Sequence, residues 1–304
     1  MLAAIDIGSN TIRMLLGDVD GGRVLPRKHF RNISRLAAGL SDCGTLNQTR
    51  MTASLNILGE YRDIIRDAGI SHYHAVATAA LRRASNRADF LVQARKQCSL
   101  EIEVVDGRRE GELVAAGVLA GFEVKPNKCL IFDLGGASLE IIFLDAGKII
   151  WVESYPLGVV GLAECGANSA RRQDLIQSMF VRVRSDLSKS RIWKDVCSQS
   201  TLLIGTAGTA STLAALDLEM DKYDWRRINN HQISRSRLAE IHRILASVPI
   251  SEAAALPGME PGREDLIVPG VETVSALMDL CGKDVLTVSD FGLLEGLLLG
   301  LMNV

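Results

Sequence analysis

AAIDIGSNTIRMLLGDVDGG, residues 3–22, and CLIFDLGGASLEIIFLDAGK, residues 129–148, state one pattern twice. Each is an apolar run, then Asp-x-Gly-x-x-Thr/Ser, then a second apolar run ending at a small turn. The copies align without a gap: Asp6 with Asp133, Gly8 with Gly135, Thr11 with Ser138, and Asp18 with Asp145. A match at that separation points to duplicated halves rather than a short-period solenoid. One difference changes chemical sign, Arg13 against Glu140, so the halves share a framework while doing different work.

The 304 residues are enough for two domains with substantial cores. Apolar residues make up 47% and charged residues 23%, which argues against wholesale disorder. Lys and Arg total 34 against 36 Asp and Glu, a formal net charge of -2, so no global field favours DNA or an anionic membrane. The six cysteines at 43, 98, 129, 165, 197 and 281 form no Cys-x-x-Cys pair, and reduced thiols are expected. Met1 leads straight into a strand-like segment with no signal-type core, and no apolar run has membrane-span length. A soluble cytoplasmic protein is the expectation, with no nucleic-acid or membrane partner and a homodimer left open.

The first half reads as strands at 2–7 and 12–19, a helix over 47–68 and a strand in YHAVAT. A helix after Asn86, a strand in LEIEVV and a helix over Gly107 to Gly121 follow. Met51, Leu55, Leu58, Tyr61 and Ile65 set the helical period of the first helix, bounded by Asn47 and Gly69. The second half begins with strands at 128–134, 139–145 and 148–155. A helix at 169–186, a strand at 201–204, helices at 208–219 and 235–246, and a strand–helix pair over 285–302 follow. This is an α/β chain with domains at 1–122 and 123–304, hinged around 119–127, its terminal helix free to cross back.

The turn in DIGSN can present several backbone N–H groups, because Gly8 allows a tight bend and Ser9 and Asn10 favour local turns, with Thr11 adding a hydroxyl. DLGGAS offers Gly135, Gly136, Ala137 and the Ser138 hydroxyl. Singly, each is an anion cradle or an ordinary β-turn; duplication favours a paired ligand site. Neither is a Walker loop or a Rossmann fingerprint. Asp6 and Asp133 either organise the turns or orient a divalent metal that neutralises phosphate oxygens. Glu140 is an edge charge or a carboxylate directed into the site. In LLIGTAGTAST, residues 202–212, Gly205, Thr206, Gly208 and Thr209 form a third cradle at a helix N-terminus or only a tight crossover.

Charged candidates lie beside these turns. Arg82 in VATAALRRASN adjoins an apolar segment and can set a guanidinium against phosphate; Arg35 in RLAAGL is a more distal contact. In GRREGELVAAGV, Glu110 is a candidate base or a surface residue, and Arg108 and Arg109 bind phosphate or balance acids. His72 and His74 share a strand face without completing a zinc pattern.

Taken together, AAIDIGSNT, AVATAALR, GRREGE, IFDLGGASLE, IGTAGT, DLIVPG and SDFGLLEGLL resemble the Ppx/GppA phosphatase family over nearly the whole chain. The resemblance implies a duplicated actin-like, ribonuclease H-like two-domain fold of the actin, sugar-kinase and heat-shock-ATPase (ASKHA) type, with an interdomain cleft. It implies Mg²⁺-assisted hydrolysis, with Mn²⁺ as an alternative, of terminal phosphates from inorganic polyphosphate or guanosine pentaphosphate. Glu110 matches the water-activating residue, Glu140 the second-half catalytic carboxylate that also serves the metal, and Asp6 and Asp133 the acidic metal and phosphate turns.

Four places depart from the family pattern: Ala137 replaces a glycine, Leu139 a threonine, Leu294 a basic residue, and Arg108 and Arg109 stand where acids are expected. The longer family members carry a further C-terminal helical region, so short polyphosphate is the expected preference here. A phosphate-ligand sensor that has lost catalysis is the alternative from another class.

Overall fold

The computed structural model describes residues 1–166 and 168–303. The chain falls into two compact units, one of residues 1–120 together with the segment from Gly292 onward, the other of Gly121–Phe291. The second unit begins two residues before the expected boundary at 122/123, and the segment from Gly292 belongs to the first unit, which is thus built from two stretches of chain.

In the first unit, β1 (Leu2–Ile7), β2 (Thr11–Asp20) and β3 (Arg23–Ile33) form an antiparallel meander. β4 (Tyr73–Ala77) and β5 (Ile102–Val104) extend it in parallel, giving the order β3-β2-β1-β4-β5. β1 is apolar and buried on both faces, as a central strand covered on each side must be. Asn47 caps α1 (Gln48–Asp67) by accepting the Thr49 and Arg50 amides, and the helix buries the five residues whose period marks it. α2 (Ala79–Arg83) follows β4, and α3 (Gly107–Ala120) follows β5.

The second unit repeats the plan. β6 (Lys128–Leu134), β7 (Leu139–Asp145) and β8 (Lys148–Tyr155) form its meander, and β9 (Leu202–Thr206) lies parallel to β6. β10 (Gln232–Ser234) sits at the edge, antiparallel to β11 (Val285–Val288), giving β10-β11-β9-β6-β7-β8. Read from the meander inward, β3-β2-β1-β4-β5 and β8-β7-β6-β9-β11 share order and strand direction. α4 (Ser169–Lys189), α5 (Ala207–Asp217), α6 (Arg235–Ser247) and α7 (Ile267–Cys281) pack on this sheet's core. α8 (Leu293–Gly300) belongs to the first unit.

Two elements carry little sequence signal. β3 is a polar edge strand whose Pro26 pairs with Gly17, where the β2–β3 register shifts; an edge or bulge is where a strand tolerates proline. α7 carries Pro269 and Gly270 in its first turn, where proline is tolerated. None of the six cysteines is joined in a disulfide. Among the described residues no helix is long and apolar enough to cross a membrane.

Candidate functional site

The duplicated turns close in the same way. Gly8 N donates to Thr11 O at 3.0 Å, and Gly135 N donates to Ser138 O at 3.0 Å. In the first unit the Asn10 carbonyl accepts the Ser34 and Arg35 amides and the Ser9 carbonyl accepts the Ala37 amide, all within 3.0 Å. In the second, the Gly135 and Gly136 carbonyls accept the Val159 and Val160 amides at 3.1 and 2.9 Å. Tying the carbonyls back turns the opposite side of each loop toward its amides. Among the described residues, the N–H groups of Ser9, Asn10, Gly136 and Ala137 donate to no protein acceptor. That is the polarity an anion requires. Gly158 is also needed: a Cβ there would lie 2.3 Å from Ala137 N and from Gly136 O.

The chemical difference between the halves lies one residue before the turns. Asp6 faces Arg13 across β1–β2, and Asp133 faces Glu140 across β6–β7. Arg13 donates from Nε and Nη2 to Asp6 Oδ2 at 3.0 and 2.6 Å. Arg31 extends that row beyond Arg13 on β3. In the second unit, Thr206, Asp133, Glu140 and Ser154 form the matching row. Glu140 is fully buried, and its Oε1 accepts the Ser154 hydroxyl at 2.7 Å. One half thus sets an acid beside arginines; the other sets two acids side by side.

The third turn joins the second within the same unit. The Thr209 hydroxyl donates to the Leu134 carbonyl at 3.4 Å, and the Thr206 hydroxyl donates to Phe291 O at 2.9 Å. Both side chains are buried and used in packing, so any anion contact here falls to main-chain N–H groups. Ala207 holds a left-handed φ of 65°, a conformation that costs a non-glycine residue energy and recurs at ligand sites. Against Gly208 lies the Arg263 guanidinium, close enough that a Cβ at 208 would overlap Nη2 at 1.5 Å. Glu260 pairs with Arg263 and also accepts the Thr212 hydroxyl at 3.2 Å. No local motif marks Arg263 or Gly158 as part of the site.

Glu110 lies on the first turn of α3, 6% exposed. Arg82 Nη1 donates to its Oε2 at 2.7 Å and to the Val105 carbonyl at 3.0 Å. Arg82 is thus a partner of the candidate base. Arg35 has a left-handed φ of 48°, and its amide is fastened to Asn10, which brings its backbone against the first turn. Arg108 and Arg109 are solvated and stand near Glu112, at 3.6 and 3.8 Å, so they balance a surface acid. Leu139 and Leu294 are buried apolar residues. His74 pairs with Glu103 at 2.7 Å, and His231 with Asp217 at 2.6 Å, both removed from the turns in sequence and register.

Each unit offers carboxylate oxygens, the donor type a hard divalent cation takes. Asp133 and Glu140 are buried carboxylates at directly opposed positions of β6 and β7, which puts two hard oxygen donors on one face of the second unit. Asp6 Oδ1 is buried without a hydrogen-bond partner. Among the described residues no three His, Cys, Asp or Glu side chains gather into a closed metal cage. Mg²⁺ takes one or two carboxylates and completes its shell with water and substrate phosphate, so an open set of this kind fits it.

Two α/β units, each opening on an acidic hairpin turn, resemble the actin, sugar-kinase and heat-shock-ATPase class. Residues 23–304 match the Ppx/GppA phosphatase family, and the chain belongs to it. It is 28% identical over 323 residues to Exopolyphosphatase 2 of Mycobacterium tuberculosis, covering 99% of this chain and 98% of that protein. A crystal structure of the Aquifex aeolicus family member superposes with a TM-score of 0.79 at 25% identity, covering 98% of this chain and 96% of that one. An exopolyphosphatase from Cytophaga hutchinsonii shares the fold, with a TM-score of 0.88 at 24% identity, covering 99% and 97%.

Proposed function

We propose that the protein hydrolyses the terminal phosphate of linear inorganic polyphosphate, using the halves as duplicated actin-like frameworks. The observation that carries this reading is the pair of matching turns, each with its carbonyls tied back and two amides left without a protein acceptor. Those amides, with Arg263 at the third turn, hold phosphate oxygens. Glu110, fixed by Arg82, takes a proton from water as it attacks phosphorus, and no covalent protein intermediate is needed. Asp133 and Glu140 would hold Mg²⁺ or Mn²⁺, and Asp6 offers Oδ1 on its own unit. When bound, the metal neutralises phosphate oxygens.

Short chains are the proposed preference, because the arginines at the turns are few and Arg108 and Arg109 are solvated beside Glu112. A phosphate-release assay with Mg²⁺ on tripolyphosphate, long polyphosphate and guanosine pentaphosphate tests this. The expected kcat/KM is highest for tripolyphosphate. A marked rise with chain length overturns the preference. Turnover of guanosine pentaphosphate alone moves the assignment to the nucleotide, and saturable binding without release of phosphate makes the protein a sensor.

Gly208→Ala tests the third turn. The added methyl displaces the Arg263 guanidinium, a flexible side-chain end, while the fold stays intact. The expected result is a KM for tripolyphosphate raised about tenfold, the size of one lost charged hydrogen bond, with Arg263→Gln giving a similar rise. An unchanged KM in both variants would remove Arg263 from the site.

A further inference from the structure

α3, which carries Glu110, has no side chain where it crosses the chain's last helix. A Cβ on Gly117 would stand 1.8 Å from the Gly292 carbonyl oxygen and 2.8 Å from Gly296 N. A Cβ on Gly296 would stand 1.9 Å from the Leu113 carbonyl oxygen. Both contacts are with backbone, which cannot swing away as a side-chain tip can. α3 and α8 therefore meet main chain to main chain, and each glycine is required by its opposite.

The spacing connects this contact to the chemistry. Glu110, Leu113 and Gly117 lie at i, i+3 and i+7, one stripe of a helix. The face that carries Glu110 is thus the face that rests on α8. The start of α3 is fixed by shorter links: Asp106 Oδ1 accepts the Arg109 amide at 2.8 Å, and Arg82 reaches both Val105 O and Glu110 Oε2. α8 is itself seated on the sheet, where Leu298 is fully buried and its Cδ1 would lie 3.0 Å from a Cβ on Gly17 of β2. Its first turn is closed by Glu295, whose Oε2 accepts the Gly292 amide at 2.8 Å. The series runs from sheet to α8, from α8 to α3, and from α3 to the carboxylate.

We infer that Gly117 and Gly296 are positioning residues for Glu110, setting the depth at which the water-activating carboxylate stands on the first unit. The inference rests on the role proposed for Glu110. The two turns of α3 between Glu110 and Gly117 move as one rigid rod, so a retreat on the order of 1 Å at Gly117 arrives at Glu110 nearly undiminished, and a misplacement of that size costs up to about 100-fold in rate. The turn between β1 and β2 is closed by its own Gly8–Thr11 hydrogen bond rather than by α3, so phosphate binding is expected to be spared.

The test is steady-state kinetics on tripolyphosphate with Mg²⁺, normalised to folded protein by circular dichroism, for Gly117→Ala, Gly296→Ala and Leu298→Ala. The two alanine insertions are expected to lower kcat about 30- to 100-fold with KM within twofold of wild type. Leu298→Ala removes atoms beneath α8 instead of adding any, so it reads the same coupling if the insertions do not fold; its kcat is expected to fall about fivefold at constant KM. Gly59→Ala on α1, where a Cβ meets nothing within 4 Å, and Leu58→Ala, which opens the same unit's core away from α3, are expected to keep wild-type kcat per folded molecule. A kcat within twofold of wild type in the folded insertions, or in Leu298→Ala if they do not fold, overturns the inference. So does an equal loss in Leu58→Ala, which would make the effect one of general stability. If Glu110→Gln itself keeps full kcat, the role of Glu110 fails; if Glu110→Gln is inactive and the glycine variants are not, only the positioning claim fails.

Discussion

Glu110→Gln is expected to lower kcat on tripolyphosphate about 1,000-fold while leaving KM and thermal stability close to wild type. The substitution keeps shape and volume and removes only the capacity to take a proton, and general-base catalysis contributes about 10² to 10⁴ in rate. Glutamine Oε1 still accepts a hydrogen bond from Arg82, so the 2.7 Å contact that orients the side chain persists and the first turn of α3 stays in place. Arg82→Gln should show the complementary result: a folded enzyme whose kcat falls less, about tenfold, because the carboxylate keeps its chemistry but loses one fixed donor. The readout is phosphate release under saturating substrate, across a Mg²⁺ titration that separates a metal defect from a proton-transfer defect. Wild-type kcat in Glu110→Gln at every metal concentration would take Glu110 out of the reaction.

The paired turns were legible because everything that defines them is local. Asp, Gly and the hydroxyl residue lie within six positions, and a hairpin fixes which residues oppose one another once its turn is known. From the offset alone, Arg13 against Glu140 marked the halves as chemically different. Only the registers of the two hairpins show why: Arg13 faces Asp6 and binds it, whereas Glu140 faces Asp133. What stayed hidden was assembled from distant chain. Arg263 reaches Gly208 from a loop with no motif of its own, and Gly158 backs Ala137 from beyond β8. Arg82 read as a phosphate ligand because an arginine after small residues suits an oxyanion, and nothing local showed that it also binds a carboxylate on another helix. The third turn read as a cradle at a helix N-terminus or a tight crossover, and nothing local showed that the hydroxyls of Thr206 and Thr209 tie it to Phe291 and Leu134. Sequence can show that a residue type suits a site; it does not show which of several suitable partners the fold brings to it.

Arg172→Met should destabilise the second unit by about 3–5 kcal/mol at neutral pH, the usual result of leaving one member of a buried ion pair uncompensated. Arg172 on α4 donates from Nε and Nη2 to the two carboxylate oxygens of Glu272 on α7, at 2.5 and 2.8 Å, and from Nη1 to Gly166 O at 3.1 Å. His242 on α6 stands 3.7 Å from the same carboxylate, so one acid joins three helices. Burial pushes the Glu272 carboxyl up, but the hydrogen bonds and charges of Arg172 and His242 outweigh it and hold it at about 2, against an ordinary 4.5. A carboxyl depressed in the fold contributes stability that is fully present above 4.5 and is lost as pH falls toward 2. Without Arg172, burial acts on the carboxyl with less opposition, the folded state gains proton affinity, and the variant's deficit shrinks as acid protonates Glu272. Urea unfolding followed at pH 7 and at pH 3 should therefore show a wide gap between wild type and variant that narrows in acid. The double variant Arg172→Met/Glu272→Leu should recover most of the loss, because two apolar side chains in contact need no counter-charge. A gap below about 1 kcal/mol at pH 7, the scale of a surface pair, would reduce the cluster to surface decoration, and a gap unchanged in acid would exclude the carboxylate as its cause. The consequence reaches the site through α7 itself: its first turn sets Gly270 against Thr209, where a Cβ would lie 2.6 Å from the threonine methyl, so the helix that Glu272 anchors also backs the third turn.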